Sequence, residues 1–347
     1  MNTGAGLHSP YRAWPSVPNR NPGYTLLLCT PADLPVFFNI AMRVIARQDL
    51  KNCYEVLVVP DQFQANFSEI FASERIDIGQ RVNLRLHQLG AVDALIAQSA
   101  QGHSVIHCFQ LIRGIGETKS THAILHDVDA FLLKPDFFER LYDCCTSSNY
   151  ACLGVDHVWN IKDLAKHGYK HINATWELTV DVEWMQQWPP ASIFGKTVSL
   201  NGDQILADSL VALQMETPPE RLGKIDVPDS FIHFSHVISA YREFQRTPHF
   251  LDEYFRVFLI RLLIDAFDQE NSSYDVPSVL QLARGISSEN ERVVYVSPDA
   301  RSHYKYFRKR LEKLMICGLL SDTQISGMRS GVEVFDQAFS WRQKVVT

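Results

Sequence analysis

T-H-A-I-L-H-D-V-D-A-F-L-L-K-P, residues 121 to 135, combines a short apolar run with two closely spaced aspartates. Its apolar run Ala123–Leu125 has the length of a buried strand, and apolar residues return directly after the acidic pair. Asp127 and Asp129 lie two positions apart, so their side chains point to the same side of an extended strand and can approach one cation. Carboxylates at the end of a buried strand are costly without such a partner. The pattern predicts a Mg²⁺ or Mn²⁺ site, with an aspartate cap and turn as the other interpretation.

A strand, helix and strand precede this stretch. Tyr24–Thr30 is a short apolar run, a helix follows Asp33, and a second apolar run, Tyr54–Val59, leads to Asp61. This order predicts a βαβ unit and therefore a parallel sheet with a right-handed crossover. Ligands bind at the carboxyl ends of the strands in such sheets, which places Thr30 and Asp61 along the same cleft as the two aspartates of the opening stretch.

The strand, the D-V-D and the following F-L-L-K-P are similar to the DxD motif of nucleotide-sugar-dependent glycosyltransferases of the GT-A fold. The resemblance covers roughly Tyr24 to Tyr241 through spaced motifs. It implies an α/β fold with a Rossmann-like mixed sheet flanked by helices. The composition from His249 onward predicts a helical C-terminal region beyond it. It also implies that Asp127 and Asp129 hold Mn²⁺ or Mg²⁺ against the nucleoside diphosphate.

The same resemblance implies donor contacts upstream of the acidic pair. Thr30, Asp61 and Asp127 are expected to contact the nucleotide, and ordinary turn chemistry is the alternative for the first two. His103 stands near the start of a helix that leads into the acidic strand, where several bacterial transferases keep a donor contact. An ordinary residue at a helix N-terminus is the alternative for His103.

A helix is predicted over Ser199–Leu213, with Asn201 as its N-cap and Asp203 and Gln204 in its first turn. Its buried stripe would consist of Leu206, Leu210 and Leu213. The resemblance implies an acidic pair here whose last member is the general base of inverting enzymes. Gln204 cannot accept a proton. The D-Q pair is instead similar to the D-Q-D of the retaining glycogenin-like and lipopolysaccharide galactosyltransferase-like family, although Ile205 departs from it. Asp203 and Gln204 are therefore the predicted catalytic pair, with retention as the expected outcome.

Ser230–Ser239 is predicted to be extended and contains two histidines. A retaining enzyme of this fold supplies a third metal ligand as a histidine about a hundred residues beyond the DxD. In a strand His233 and His236 would point to opposite faces, so only one could reach the ion. His233 is the predicted ligand, because its I-H-F context is similar to the H-F or H-Y of the family. The Gly and Lys-Pro-Trp that follow in the family are missing here.

Aromatic and acidic residues are concentrated between the acidic strand and the predicted catalytic pair. Tryptophan faces with nearby polar groups suit sugar rings, so this region is the predicted acceptor side, and burial in the core is the alternative for each ring. The residues are Trp159, Trp176, Glu177, Asp181, Glu183, Trp184 and Trp188.

Composition excludes several classes of protein. The chain has 347 residues, a formal net charge of -6 and a pI near 6.1, which argues against a nucleic-acid binder. Seven scattered cysteines without a CxxC pair favour a reducing compartment. Residues 1–23 lack the apolar core of a signal peptide or anchor, and no apolar run has the length of a membrane span. A cytoplasmic enzyme is therefore expected.

The domain prediction has three parts: a flexible N-terminal arm over residues 1–23, a GT-A catalytic domain over 24–248 and a helical region over 249–347. Within the last, 299–316 is predicted to form a basic amphipathic helix. Such a helix can contact an anionic membrane surface, here the inner membrane face, or an anionic lipid acceptor. A helix that packs on its domain with a solvated face is the alternative.

These patterns predict a metal-dependent glycosyltransferase that moves a sugar from a nucleotide-diphosphate donor, with a UDP-sugar favoured, to a hydroxyl of a glycan, glycolipid or other acceptor. Two alternatives remain. A nucleotidyltransferase uses similar carboxylates, but the loop Cys29–Asp33 lacks the Gly, Arg and Lys that such enzymes carry there. A non-catalytic nucleotide-sugar-binding homologue would keep the fold without turnover.

Overall fold

A computed structural model of the chain describes the following residues: 11–17, 19–62, 67–78, 80–90, 92–93, 103–156, 163–226, 230–246, 249–250, 254–268, 274–284, 286–287, 292–294 and 300–342. They belong to two compact units. The first unit takes its residues from Met1–Pro35, Ile45–Val128 and Lys134–Ser230. The second takes them from Val36–Val44, Asp129–Leu133 and Phe231–Thr347. The predicted domain boundaries at residues 23 and 248 stay a prediction.

The first unit is built on a seven-stranded mixed sheet with the order β10-β6-β7-β4-β1-β2-β3. Its strands are β1 Asn21–Thr30, β2 Cys53–Pro60, β3 Asn83–Leu86, β4 Ser120–Asp127, β6 Cys152–Asp156, β7 Asn173–Asp181 and β10 Leu222–Lys224. Strand β1 is parallel to β2 and β4, and β7 is antiparallel to β4 and β6. The predicted βαβ order and parallel pairing are confirmed. So is the α/β class with a mixed sheet.

Helices cover both faces of this sheet. The helices of the first unit are α2 Phe67–Ile78, α3 His103–Glu117, α4 Phe137–Ser147, α5 Val182–Gln186 and α6 Val211–Met215. Phe109 and Ile112 of α3 share one apolar cluster with Leu125 of β4. On the next residue of β4, the His126 ring meets Phe138 of α4 edge to face at 5.2 Å. Because consecutive residues of a strand point to opposite faces, α3 and α4 lie on opposite sides of the sheet.

The helix predicted over Ser199–Leu213 is wrong. The segment forms a β-hairpin, in which β8 Lys196–Leu200 pairs antiparallel with β9 Asp203–Ala207. Asn201 and Gly202 make the turn with φ of 51° and 94°, and two central residues with positive φ are the signature of a type I′ turn. Leu206, a member of the predicted buried stripe, is 73% exposed.

The second unit contains strand β5 Ala130–Leu132, which pairs antiparallel with β11 Phe231–His233. A three-stranded sheet follows, with β12 His249–Phe250, β13 Ile286–Ser287 and β14 Arg292–Val294. Most of helix α1, Pro35–Ala46, also belongs to this unit. The other helices of the unit are α7 Val237–Arg246, α8 Tyr254–Phe267, α9 Val279–Arg284, α10 Ala300–Ile316 and α11 Asp322–Arg342. The predicted helical C-terminal region is therefore confirmed.

Two predictions about this unit have different outcomes. The extended run over Ser230–Ser239 is wrong beyond His233, because Ser235 and His236 turn the chain with φ of 43° and 60° and α7 begins at Val237. The basic helix predicted over 299–316 is confirmed as α10, in which Phe307, Leu311 and Leu314 are buried. Among the helices of the described residues, none combines the length and apolar character needed to cross a bilayer.

Candidate metal centre

Asp127 is the last residue of β4, at the carboxyl end of the strand. In the register of the parallel pair β1–β4 it lies beside Cys29. The Cys29 thiol is fully buried, and burial, followed by the negative charge of Asp127, raises its pKa well above the ordinary value. The raised pKa means that this thiol is protonated at neutral pH.

Asp129 is brought against His233 by the pairing of β5 with β11. Ala130 lies opposite His233 in the register of these strands, and Phe234 N donates to the Asp129 carbonyl at 3.4 Å. His233 Nε2 lies 3.1 Å from Asp129 Oδ1. Both side chains are largely buried, with 10% and 7% of their surface exposed. The two-stranded ladder therefore fixes this contact between residues that are far apart in the chain.

Asp127, Asp129 and His233 together form a group that fits a divalent metal ion. One candidate ligand atom from each lies within 4.8 Å of the others. Two atoms on adjacent vertices of an octahedron with bonds of about 2.1 Å are about 3 Å apart, close to the 3.1 Å between Asp129 and His233. The three residues predicted as metal ligands are thus brought together, and among the described residues His236 is not a member of this group.

The charge state of the Asp129 carboxyl group suits a metal ligand. Burial raises the pKa of its carboxyl, but the attraction of His233 and His236 outweighs burial, so its pKa lies below the ordinary value. The carboxylate is therefore ionised at neutral pH. Two carboxylates with one imidazole suit Mn²⁺ better than Mg²⁺, because magnesium prefers oxygen ligands alone.

Two arginines of the second unit belong to the surroundings of Asp129. Arg310 of α10 interacts electrostatically with Asp129 and with Arg256. Phe307, one turn earlier on α10, packs at 5.3 Å on Phe234, the residue after His233. Arg256 Nε donates to the carbonyl of Ser235 at 2.9 Å. Positive charge is therefore held near the Asp129 carboxylate. The sequence pattern predicted only a membrane or lipid contact, or packing on the domain, for α10, and it did not indicate that Arg310 lies near Asp129.

A buried pair behind the metal centre was also missed. His126, directly before Asp127, is hydrogen-bonded through Nδ1 to Glu177 Oε1, and both side chains are completely buried. The two residues lie directly opposite in the register of β4 and β7. Glu177 therefore belongs to the sheet, and its predicted acceptor role stays a prediction.

Thr30 and Asp61 lie at the carboxyl ends of β1 and β2 as predicted. Both are nearly inaccessible, at 1% and 6% exposed. Asp61 Oδ1 accepts from Ala32 N at 3.0 Å, and Gln110 of α3 donates to the carbonyls of Thr30 and Val59. These contacts are turn chemistry, and they hold the two strand ends together. Nucleotide contact by Thr30 and Asp61 stays a prediction.

The other predicted residues lie in different surroundings. His103 is the first residue of α3, and its side chain lies outside the described residues, as does Trp159. Asp203 and Gln204 are exposed on β9, and Asp203 Oδ2 lies 3.2 Å from His167 Nε2. Among the described residues, Asp203 is not in the candidate metal group. The catalytic roles of Asp203 and Gln204 stay predictions. They were based on a helix N-terminus, and the segment forms a hairpin instead.

Comparison with known proteins yields no close relative. No family model matches the chain, and no curated protein matches it. Among solved structures, Staphylococcus aureus TarS 1–349 in complex with UDP-GlcNAc is 10% identical over 93% of this chain and 92% of that chain, with a TM-score of 0.41. A mannosyltransferase from Pyrobaculum calidifontis with GDP-Man and Mn²⁺ is 12% identical over 94% and 90%, with a TM-score of 0.40.

A third structure is glucosyl-3-phosphoglycerate synthase from Mycobacterium tuberculosis with Mn²⁺, UDP and glucosyl-3-phosphoglycerate. It is 9% identical over 59% of this chain and 69% of that chain, with a TM-score of 0.37. Identities below 25% and TM-scores below 0.5 assign neither a family nor a function to this chain. What the chain itself displays is a mixed α/β sheet whose acidic strand ends at an Asp-Asp-His group.

Proposed function

We propose that the protein is a metal-dependent glycosyltransferase that uses a nucleotide-sugar donor. The group of Asp127, Asp129 and His233 carries this proposal, because two carboxylates and an imidazole converge at the carboxyl end of a strand in a mixed α/β sheet. Ligands bind at this edge in open α/β sheets. The D-V-D sequence before F-L-L-K-P, and a histidine far downstream, are the features in which the chain resembles the GT-A enzymes.

The three side chains would hold the cation, with Mn²⁺ favoured over Mg²⁺ because of the imidazole. When bound, the cation supplies neutralising charge for the leaving nucleoside diphosphate. The short chain segment from Asp127 to Asp129 keeps the two carboxylates together, and the β5–β11 ladder holds His233 against Asp129. Because these groups are fixed before the donor binds, little reorganisation is required when negative charge develops on the diphosphate.

Arg310 is proposed to attract the diphosphate of the donor. It carries a permanent positive charge near Asp129, and Arg256 adds a second one. Guanidinium groups recognise phosphate oxygens through paired N–H donors. The α10 helix would thus bind the donor in addition to packing on its own unit through Phe307, Leu311 and Leu314.

Replacing Arg310 with glutamine is expected to raise KM for the nucleotide sugar about tenfold, equivalent to about 1.4 kcal/mol, because one charge-assisted contact to the diphosphate is lost. Steady-state kinetics at saturating Mn²⁺ measures the change. Lys309→Gln is the matched control, since Lys309 is the exposed neighbour on the same helix and loses the same charge. Equal effects of the two substitutions would mean that only the net charge of the helix matters.

The proposed function is tested by a donor screen. UDP-Glc, UDP-Gal, UDP-GlcNAc and GDP-Man are incubated with the protein and Mn²⁺, Mg²⁺ or EDTA, and nucleoside diphosphate release is measured. A UDP-sugar is expected to be turned over with Mn²⁺ and not with EDTA. Formation of a nucleotide sugar and inorganic diphosphate from a sugar phosphate and a nucleoside triphosphate would instead establish nucleotidyl transfer. Tight donor binding without release of nucleoside diphosphate would indicate a non-catalytic protein.

Retention of configuration is proposed for the transferred sugar. Gln204 is an amide at the position predicted to carry the base of an inverting enzyme, and an amide takes no proton. In a retaining reaction the departing phosphate oxygen accepts the proton of the acceptor hydroxyl on the same face. With a UDP-α-sugar, proton NMR of the fresh product is expected to show an α-linkage. A β-linkage would contradict this proposal.

The acceptor is proposed to be a hydroxyl of a glycan or glycolipid, with no role for nucleic acid. We also propose a cytoplasmic location, because all seven cysteines are free thiols. Contact with the inner membrane face is proposed through α10, where Lys305, Tyr306, Lys309 and Ile316 are exposed. Sedimentation with anionic and with neutral vesicles tests this contact, and equal binding to both would oppose an electrostatic attraction.

A further inference from the structure

A cavity of about 440 Å³ lies in the first unit, at the end of the sheet opposite to Asp127. One of its lining residues, Asp181, is the last residue of β7 and lies opposite His122 of β4. Asp127 follows His122 by five residues along β4, which corresponds to about 17 Å. The cavity is therefore separate from the metal centre, although it contains four of the residues that sequence analysis assigned to the acceptor side. The charged and aromatic residues of its lining are Asp181, Glu183, Trp184, Trp188, Glu216 and Arg221.

Hydrogen bonds hold the indole of Trp184 and the backbone of Trp188 in this cavity. Trp184 is 6% exposed, and its indole N–H donates to Thr217 Oγ1 at 3.2 Å. Trp188 is only partly buried, and its carbonyl accepts from the indole N–H of Trp14 at 2.6 Å. Trp188 therefore presents the accessible aromatic surface. A rigid indole offers an apolar face at little entropic cost, because few rotamers are lost when a ligand binds.

The polar groups of the cavity leave space for a hydroxyl. Asp181 uses Oδ1 to accept from the backbone N–H groups of Glu183 and Trp184 at the start of α5. Its other oxygen, Oδ2, lies 4.0 Å from Arg221 Nη2, which is too long for a hydrogen bond. A hydroxyl oxygen placed between them can donate to the carboxylate and accept from the guanidinium at about 2.8 Å each.

The charges on and around the walls nearly balance. Three carboxylates, those of Asp181, Glu183 and Glu216, face the guanidinium of Arg221 in the lining. Arg20, outside the set of lining residues, interacts electrostatically with Asp181 and Glu183. Lys196 approaches Glu216 at 3.7 Å from outside the set of lining residues. These surroundings offer no net positive charge to hold a phosphate, a uronic acid or a nucleoside diphosphate, so a neutral polyol fits them better.

We propose that this cavity is a second binding site, separate from the metal centre, for one unit of a neutral saccharide. A pyranose ring matches both kinds of wall, because it has an apolar C–H face for Trp188 and hydroxyls that donate and accept at once. The volume is within the range of small-molecule sites. The site requires no metal and no donor, so its occupancy is independent of the proposed transfer reaction.

The proposal is tested by saturation-transfer NMR and tryptophan fluorescence titration of the full chain. The probes are methyl α-D-mannopyranoside, methyl β-D-galactopyranoside, N-acetyl-D-glucosamine and maltotetraose. At least one is expected to bind with a Kd of about 1–10 mM in the presence of EDTA. Trp188→Ala is expected to weaken binding about tenfold or more, and Trp188→Phe to restore part of it. Asp181→Asn keeps a helix-capping side chain and is expected to weaken binding through the altered hydroxyl contact.

Two controls separate this site from the metal centre and from misfolding. Asp129→Ala is expected to leave saccharide binding unchanged, and Trp176→Phe removes a tryptophan that does not line the cavity. Far-UV circular dichroism checks that each variant is folded. The proposal is overturned if no probe binds at a probe concentration 50-fold above the expected Kd. It is also overturned if folded Trp188→Ala binds the probe as the wild type does, or if Asp129→Ala abolishes binding of the probe.

Discussion

Replacement of Asp129 by alanine is expected to lower metal-dependent release of nucleoside diphosphate by roughly 10²–10³-fold. The carboxylate lies 3.1 Å from His233 Nε2 and belongs to the group that fits a divalent ion. Its removal takes away one ligand and one negative charge, so the affinity for Mn²⁺ falls as well. Isothermal titration of Mn²⁺ measures the binding, and donor turnover over a range of Mn²⁺ concentrations measures the activity.

Asp136→Ala is the matched control for this prediction. Asp136 is an exposed aspartate at the N-cap of α4, and its side chain makes no capping hydrogen bond. It lies shortly after the acidic pair, so this variant loses the same charge nearby without losing a ligand. Wild-type Mn²⁺ affinity in Asp129→Ala, or an equal loss of turnover in both variants, would remove Asp129 from the metal centre. His233→Ala is expected to lower Mn²⁺ affinity in the same direction as Asp129→Ala.

The sequence was sufficient for the parts of the fold that depend on uninterrupted apolar runs. In β1, every residue from Gly23 to Thr30 is buried, so a continuous apolar run bounded by Pro31 marks the strand directly. The approach of the three candidate ligands was also predictable, because Asp127 and Asp129 follow a buried strand and the spacing to His233 matches a family pattern. The structure confirms that these three residues converge.

The hairpin at Asn201 was not predicted because two signals competed in the same residues. Leu206, Leu210 and Leu213 are spaced like a helical stripe, but Asn201-Gly202 favours a tight turn in which both residues have positive φ. The turn prevails, since Ile205 and Ala207 are buried on alternate positions while Leu206 faces solvent. Period-2 burial over five residues is too short to separate from helical spacing by sequence alone.

Contacts between distant elements could not be predicted from spacing. Arg310 comes near Asp129 only because α10 packs through Phe307 on the residue after His233. The pair of His126 and Glu177 depends on the antiparallel register of β4 with β7, and nothing in the sequence sets that register. Contacts between side chains that meet through tertiary packing therefore cannot be predicted until the sheet order is known.

Replacing Glu177 with alanine is expected to destabilise the fold by about 3–5 kcal/mol, the usual cost of removing one partner of a buried pair. Both side chains are completely buried, so neither has access to water. Without the carboxylate, His126 Nδ1 would lose its acceptor in the core, and a buried donor without a partner carries its full desolvation cost. Urea unfolding followed by far-UV circular dichroism measures the loss.

Two companion variants separate the buried pair from a general effect of charge. Glu177→Gln keeps the shape and one acceptor oxygen, so its loss of stability is expected to be less than half of that of Glu177→Ala. Glu183→Ala removes an exposed carboxylate a few residues later and is expected to change stability by about 0.5 kcal/mol or less. A small effect of Glu177→Ala would mean that β4 and β7 keep their register without the pair. A large effect combined with lost Mn²⁺ affinity would mean that the end of β4, and Asp127 with it, is held in place by His126 and Glu177.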